Sequence, residues 1–88
     1  MFTQSGSMFE VKLIASGVRA QLMKEKQFGY DQKYIDLPDG RTEFTLMMQR
    51  NFSTYNTILS FGDLVEVIEP QWLKDKIKEI AYSIYNKY

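Results

Sequence analysis

Arg19 is the side chain of this sequence whose position best suits the binding of a charged ligand. It follows Ser16-Gly17, where the pattern predicts that a helix begins. Free backbone N–H groups at a helix start favour an anion. An arginine there could hold a phosphate through two parallel hydrogen bonds. The sequence therefore predicts a candidate anion contact at Arg19.

The other chemically reactive residue types do not form a catalytic set. The chain has no cysteine and no histidine, which excludes thiolate nucleophiles, imidazole bases and most zinc sites. Glu66 and Glu69 are three residues apart in a predicted strand, so they point to opposite faces and cannot act as an acid–base pair. Asp36 and Asp39 flank a predicted turn, where aspartate is common. We expect a non-enzymatic protein without a cofactor.

Aromatic side chains near the end of the chain offer a second kind of chemistry. Trp72, Tyr82, Tyr85 and Tyr88 could stack nucleobases, as aromatic platforms do in proteins that bind single strands. Aromatic stripes at helical spacing are more often buried faces. We therefore expect Trp72 to pack over the start of the last helix, with Tyr85 and Tyr88 capping the core.

Length and charge limit the class of protein. The chain has 88 residues, of which 44% are hydrophobic, enough for one folded domain. Eleven lysines and arginines balance eleven aspartates and glutamates, whereas an autonomous nucleic-acid binder usually has a basic surplus. Residues 1–7 look like a flexible arm or linker remnant, and residues 8–88 like the domain. No apolar run reaches the roughly 20 residues of a membrane span, and the start lacks a signal peptide, so we expect a cytoplasmic protein.

The hydrophobic pattern predicts seven elements. Phe9, Val11 and Leu13 alternate with polar residues, as in a half-buried strand. Asp39-Gly40 is a strong hairpin signal. The first predicted elements are a strand from Met8 to Ser16 and a helix over 18–26, whose inward residues are Val18, Leu22 and Met23. Strands over 33–37 and 42–50 follow, and the second has Phe44, Leu46 and Met48 inward. The remaining elements are a helix capped by Ser53 and ended by Gly62, a strand around Val65 and Val67, and a helix after Pro70.

This order predicts an α+β fold. It matches the ferredoxin-like βαββαβ pattern, with a four-stranded antiparallel sheet and an additional C-terminal helix. Right-handed crossovers place the two internal helices on one face. Ile14, Met47 and Ile68 should then form an apolar strip on the open face, and with Trp72 they are the candidate interaction surface. The terminal helix, a second copy or another domain could cover that strip.

Four stretches of the chain carry a family resemblance. They are Phe9–Ser16, the Asp39-Gly40 hairpin followed by Glu43–Leu46, Ile58–Asp63, and Val65–Leu73. With Tyr88 closing the last helix, residues 8–88 resemble the C-terminal extension (WCX) domain of bacterial transcriptional regulators that carry a WYL domain. In that family a winged helix binds DNA, a WYL domain senses a ligand, and the extension contributes to dimer contacts and coupling.

The resemblance implies a regulatory and dimerisation domain whose partners are a second copy and the WYL and winged-helix domains of the same regulator. DNA would be contacted only indirectly, through the winged helix, which this chain lacks. We expect an excised domain or a short gene product that kept only the tail. The alternative is a stand-alone ferredoxin-like module that binds a nucleotide or single-stranded nucleic acid through Arg19.

Two families that share the topology fit the residues less well. RNA-recognition domains carry a basic-Gly-aromatic signature on their central strands, and the strands here carry Lys12, Ile14, Thr45, Met47 and Gln49 instead. Acylphosphatases hold phosphate with an arginine in the region of Arg19, but their glycine-rich loop and paired asparagine have no match. We expect no turnover of acyl phosphates.

Overall fold

The computed structural model describes residues 7–88, and the predicted arm over residues 1–7 lies almost wholly outside that range. Four strands and three helices follow one another in the predicted order, with a single 3₁₀ turn at Gly62–Leu64. The elements are β1 (Met8–Ser16), α1 (Gly17–Glu25), β2 (Tyr30–Asp36), β3 (Arg41–Gln49), α2 (Phe52–Ser60), β4 (Val65–Glu69) and α3 (Gln71–Tyr85).

The four strands form one antiparallel sheet in the order β2-β3-β1-β4. This is the strand order of a ferredoxin-like fold, so the predicted α+β fold with an additional C-terminal helix is confirmed. β1 and β3 are central and pair over nine positions, from Met8 with Gln49 to Ser16 with Arg41. The Asp39-Gly40 turn joins β2 to β3 as predicted, with Gly40 at a φ of +90°. β2 begins at Tyr30, three residues before the predicted start at residue 33.

The core lies between one face of the sheet and the helices. Val11, Leu13 and Phe44 are at most 1% exposed, and their neighbours in the strands point the other way. The predicted inward positions of β1 and β3 are therefore confirmed. The helices add Ala20 and Met23 from α1, Tyr55 and Ile58 from α2, and Leu73 from α3.

The predicted inner face of α1 is wrong at two positions. Val18 is 76% exposed and Leu22 is 46% exposed, whereas Ala20 and Met23 are buried. Ala20 and Met23 are three residues apart and share one helical face. This face packs on the core, where the small Ala20 side chain fits under the helix, and Val18 is left in solvent.

The N-cap of α2 also differs from the prediction. The Oδ1 atom of Asn51 accepts a hydrogen bond from the Thr54 backbone N–H at 3.0 Å, so Asn51 and not Ser53 caps the helix. Thr54 adds a second tie, since its hydroxyl donates to the Gln49 carbonyl at 2.5 Å. Both contacts bring the start of α2 close to the end of β3.

α3 packs beside α2 and β4 and leaves the open face of the sheet uncovered. Leu73 is completely buried in the core, while Ile77 and Ile80 are half-buried against it. Tyr85 is 76% exposed and Tyr88 fully exposed, so the predicted role of these two tyrosines as caps on the core is wrong. Within residues 7–88 no helix combines the length and the apolar content that crossing a membrane needs.

Candidate functional site

The open face is the face of the sheet that the described helices leave uncovered. Lys12 and Ile14 alternate along β1 with the buried Val11 and Leu13, so both point away from the helices. The register places Ile14 opposite Glu43 on β3 and opposite Glu66 on β4. Ile14 therefore has a charged neighbour across the strands on each side.

The predicted strip of Ile14 and Met47 is interrupted. Met47 pairs with Glu10, four residues before Ile14 on the same strand. Residues that share a face recur about every 6.6 Å along a strand, so the two side chains are separated by about 13 Å. Lys12 and Thr45, which pair with each other, lie between them. The open face is thus a mixture of apolar and charged side chains.

Ile68 lies at an irregularity of β4. Leu13 pairs with Val67 and Lys12 pairs with Glu69, so Ile68 is an extra residue in the ladder. Such a bulge twists an edge strand and redirects a side chain. Ile68 is half-buried, and the bulge places it beside the β1 segment that carries Ile14.

Two further apolar side chains lie on the open face and were not predicted there from the sequence. Ile35 pairs with Glu43 and is 65% exposed. Tyr30 pairs with Met47 and is 60% exposed. The Asp-Gly turn fixes the register of the hairpin, so that signal was sufficient to place Ile35 in the row of Ile14.

Trp72 does not join the open face. Its ring centroid lies 4.8 Å from that of Phe9 and 6.5 Å from that of Tyr55. The guanidinium carbon of Arg50 lies 4.3 Å from the centre of the indole, a distance typical of a cation–π contact. Phe9 points to the same side of β1 as the buried Val11 and Leu13. Trp72 is therefore on the helix-covered side, over the start of α3 as expected.

Arg19 lies in the first turn of α1, as predicted. Its guanidinium carbon is 5.5 Å from the centre of the Phe61 ring. The buried Nε atom has no hydrogen-bond partner within residues 7–88. The Ser16 hydroxyl makes no capping hydrogen bond. Arg19 therefore packs against an aromatic ring.

The charged groups around α1 and β2 pair with one another. Lys24 Nζ lies 2.9 Å from Asp36 Oδ1, and the Thr42 hydroxyl donates to the same oxygen at 2.9 Å. The hydrogen bond from Lys24, and next to it the one from Thr42, holds the pKa of the Asp36 carboxyl below its ordinary value. The contribution of Lys24 is the larger. At the hairpin, hydrogen bonds from the Arg41 backbone and side chain lower the pKa of Asp39. In the described part of the chain, no group of three acidic residues is placed to hold a metal ion.

In the comparison with known protein families, the sequence model of the WCX domain matches residues 8–85. This range is most of the chain and includes every strand and helix described above. The search of curated proteins found no match.

Proposed function

The chain belongs to the WCX domain family, and we propose that it works as a non-enzymatic regulatory and dimerisation domain of a WYL-type transcriptional regulator. WCX domains are associated with such regulators. In the proposed mechanism the domain holds two subunits together and passes the state of the effector site to the DNA-binding part. Its partners would be a second copy of the chain and the WYL and winged-helix domains.

The uncovered face of the sheet is the observation that supports this proposal. On the other face, Phe44 and Leu13 are buried under the helices. The open face still carries Ile14, Met47, Ile68 and the 65% exposed Ile35. These apolar side chains lie on a face that the described helices leave uncovered, and the proposal is that a partner covers them.

The charges of this face suit a specific and reversible contact. Lys12 and Lys33 lie in one row across the sheet, since both pair with Thr45. Glu43 and Glu66 lie in the neighbouring row, on either side of Ile14. Interfaces that must form and dissociate contain such polar groups around a few apolar anchors, and the opposed rows would fix the register of a second copy.

Sedimentation velocity of the isolated chain over a range of concentrations tests the dimer. We expect reversible dimerisation, lost in Met47→Glu because a carboxylate would be buried without a partner. Met47 is half-exposed, so this change should cost less than about 1 kcal/mol in the free energy of unfolding. Asn56→Glu is the matched control, since Asn56 is exposed on α2, away from the open face.

A chain that stays monomeric at every concentration contradicts the dimer proposal. So does a dimer that Met47→Glu leaves intact. The regulatory part has a separate test, in which the chain is joined to WYL and winged-helix domains and operator binding is measured. Met47→Glu should then weaken the response of DNA binding to the effector, while Asn56→Glu should not.

The alternative of a nucleotide-binding module would depend on Arg19. In the structure Arg19 faces the Phe61 ring, and Lys24 is paired with Asp36. Binding of short single-stranded oligonucleotides or cyclic nucleotides that Arg19→Ala removes would favour this alternative.

A further inference from the structure

A groove runs between the outer edge of β4 and one face of α3, on the far side of the molecule from β2. Its volume is about 530 Å³, within the range of sites that bind ligands of moderate size. The lining from α2 and the 3₁₀ turn includes Ile58, Leu59 and Asp63. The two longer walls come from β4 and α3.

The β4 wall is the edge of the strand. Val65, Glu66 and Val67 all line the groove, although successive side chains of a strand point to opposite faces. Three consecutive residues can border one groove only where it meets the strand from the side. β4 pairs with β1 on its other side, and it is last in the strand order of the described residues. Its outward N–H and C=O groups therefore face the groove.

The α3 wall is a single face of the helix. Lys74, Ile77, Lys78 and Ala81 line the groove, at the spacings i, i+3, i+4 and i+7 that share one side. The same face continues beyond the body of the domain with Ile84 and Tyr85, which are 48% and 76% exposed. A strand edge opposite an amphipathic helix face forms a cleft for an extended segment.

The two walls carry opposite charges. Asp63 and Glu66 lie on the β4 side, and Lys74 and Lys78 lie on the α3 side. A second copy would not pair well through β4, because an antiparallel contact centred on Glu66 places two glutamates directly opposite each other. A partner with a basic residue opposite Glu66, apolar residues opposite Val65 and Val67, and an acidic group near the lysines is complementary.

The other edge of the sheet lacks these features. In β2 the pairing is irregular between Tyr30 and Lys33, and Asp31 has a φ of 52°. Charged side chains and irregular pairing protect an edge from added strands. Over Val65–Val67 the register with β1 is regular, and Glu66 is the one charged residue of the three.

We propose that this groove binds an extended peptide segment of a partner protein, which adds to β4 as a fifth strand. The segment alternates apolar and basic residues and has an acidic residue at an end. Main-chain hydrogen bonds to β4 supply affinity, and the apolar side chains that contact Ile77 and Ala81 supply specificity. This site adjoins the open sheet face at Glu66, but its other lining residues lie on α2, α3, the 3₁₀ turn and the edge of β4, so it does not depend on the dimer.

Fluorescence anisotropy of the folded chain with a labelled heptapeptide, Glu-Val-Lys-Val-Lys-Val-Glu with blocked ends, tests the proposal. We expect saturable binding that Ala81→Glu weakens at least about tenfold, because the longer side chain occupies the groove and pairs with Lys78, which is then lost to the acidic end of the peptide. Ser83→Glu is the matched control, since Ser83 is also exposed on α3 but is not part of the lining. It should leave the affinity unchanged.

Two N-methylated peptides test the added strand. One is methylated at the valine nitrogens and the other at the lysine nitrogens. Alternate N–H groups of a paired strand point to its partner, so one peptide should lose binding and the other should keep it. Equal binding by both, no binding at about 1 mM, or unchanged binding in Ala81→Glu would overturn the proposal. A dimer that Ala81→Glu dissociates would identify a second copy as the occupant and would also overturn it.

Discussion

The two faces of the sheet differ in what their side chains contact. On the covered face, Val11, Ala15 and Phe44 are completely buried, and the hydroxyl of the buried Thr42 donates a hydrogen bond to Asp36. On the open face, Ile14 and Met47 are half-buried and alternate with lysine and glutamate across the strands. The covered face supplies the stability of the fold. The open face has side chains whose burial would require a partner.

The largest effect should come from removing a ring on the covered face. Phe44→Ala should lower the free energy of unfolding by about 3–5 kcal/mol, since it loses buried apolar surface and leaves a cavity. Met47→Ala, three residues along the same strand, should cost less than about 1 kcal/mol. Urea denaturation of both variants measures the difference. Equal losses would mean that the two faces are not distinct.

Adding one carbon to the covered side should have the next largest effect. A Cβ at Gly29 would lie 2.5 Å from the Met47 carbonyl oxygen and 2.9 Å from the Leu46 Cδ1 atom. Gly29→Ala should therefore cost about 1–3 kcal/mol, because backbone must move. Thr45→Ile instead places a larger side chain on the open face and should change the free energy of unfolding by less than about 0.5 kcal/mol. Thermal or urea unfolding that ranks them in the reverse order would contradict this comparison.

The helix cap provides a smaller and more local test. Asn51→Ala should cost about 1 kcal/mol, because the Thr54 N–H would lose its side-chain acceptor. Ser53→Ala is the control, since the exposed Ser53 hydroxyl makes no capping bond, and it should be close to neutral in urea denaturation. A larger loss of stability from Ser53→Ala than from Asn51→Ala would mean that Ser53 caps the helix, as the sequence pattern predicted.

The smallest effect concerns the ion pair at the edge of the sheet. Lys24 and Thr42 lower the pKa of Asp36 in the folded chain. The stabilisation is therefore complete above the ordinary aspartate pKa of about 3.9 and is lost as the pH falls below it, through the lowered folded value. A double-mutant cycle of Lys24→Met and Asp36→Asn should show coupling at pH 7 that decreases as the pH falls through the lowered pKa of Asp36 in the folded chain. Coupling that is the same at every pH would assign it to packing.

Most of the fold could be predicted because its signals are local. The alternation of Val11 and Leu13, and of Phe44 and Leu46, identifies strands with one buried face, and Asp39-Gly40 sets the register between β2 and β3. The inner face of α1 could not be derived in this way, since Ala20 is a small residue and its burial depends on how closely the helix approaches the sheet. The N-cap was ambiguous because Asn51 and Ser53 are both good capping residues.

The candidate sites were less predictable for a physical reason. Ile14 and Met47 were correctly assigned to the open face, but their separation by Lys12 and Thr45 depends on the pairing register. The position of Trp72 depends on the docking of α3 beside α2, which no short-range pattern specifies. The groove results from the approach of α3 to the edge of β4, and so it is visible only in the folded chain.

Methyl NMR spectra recorded over a range of chain concentrations test the central claim most directly. If a second copy contacts the open face, the methyl signals of Ile14, Met47 and Ile68 should shift as the concentration rises. Those of Leu13 and Leu46, which are 1% exposed on the covered face, should stay in place. Shifts confined to the covered face, or no shift at any position, would contradict the account.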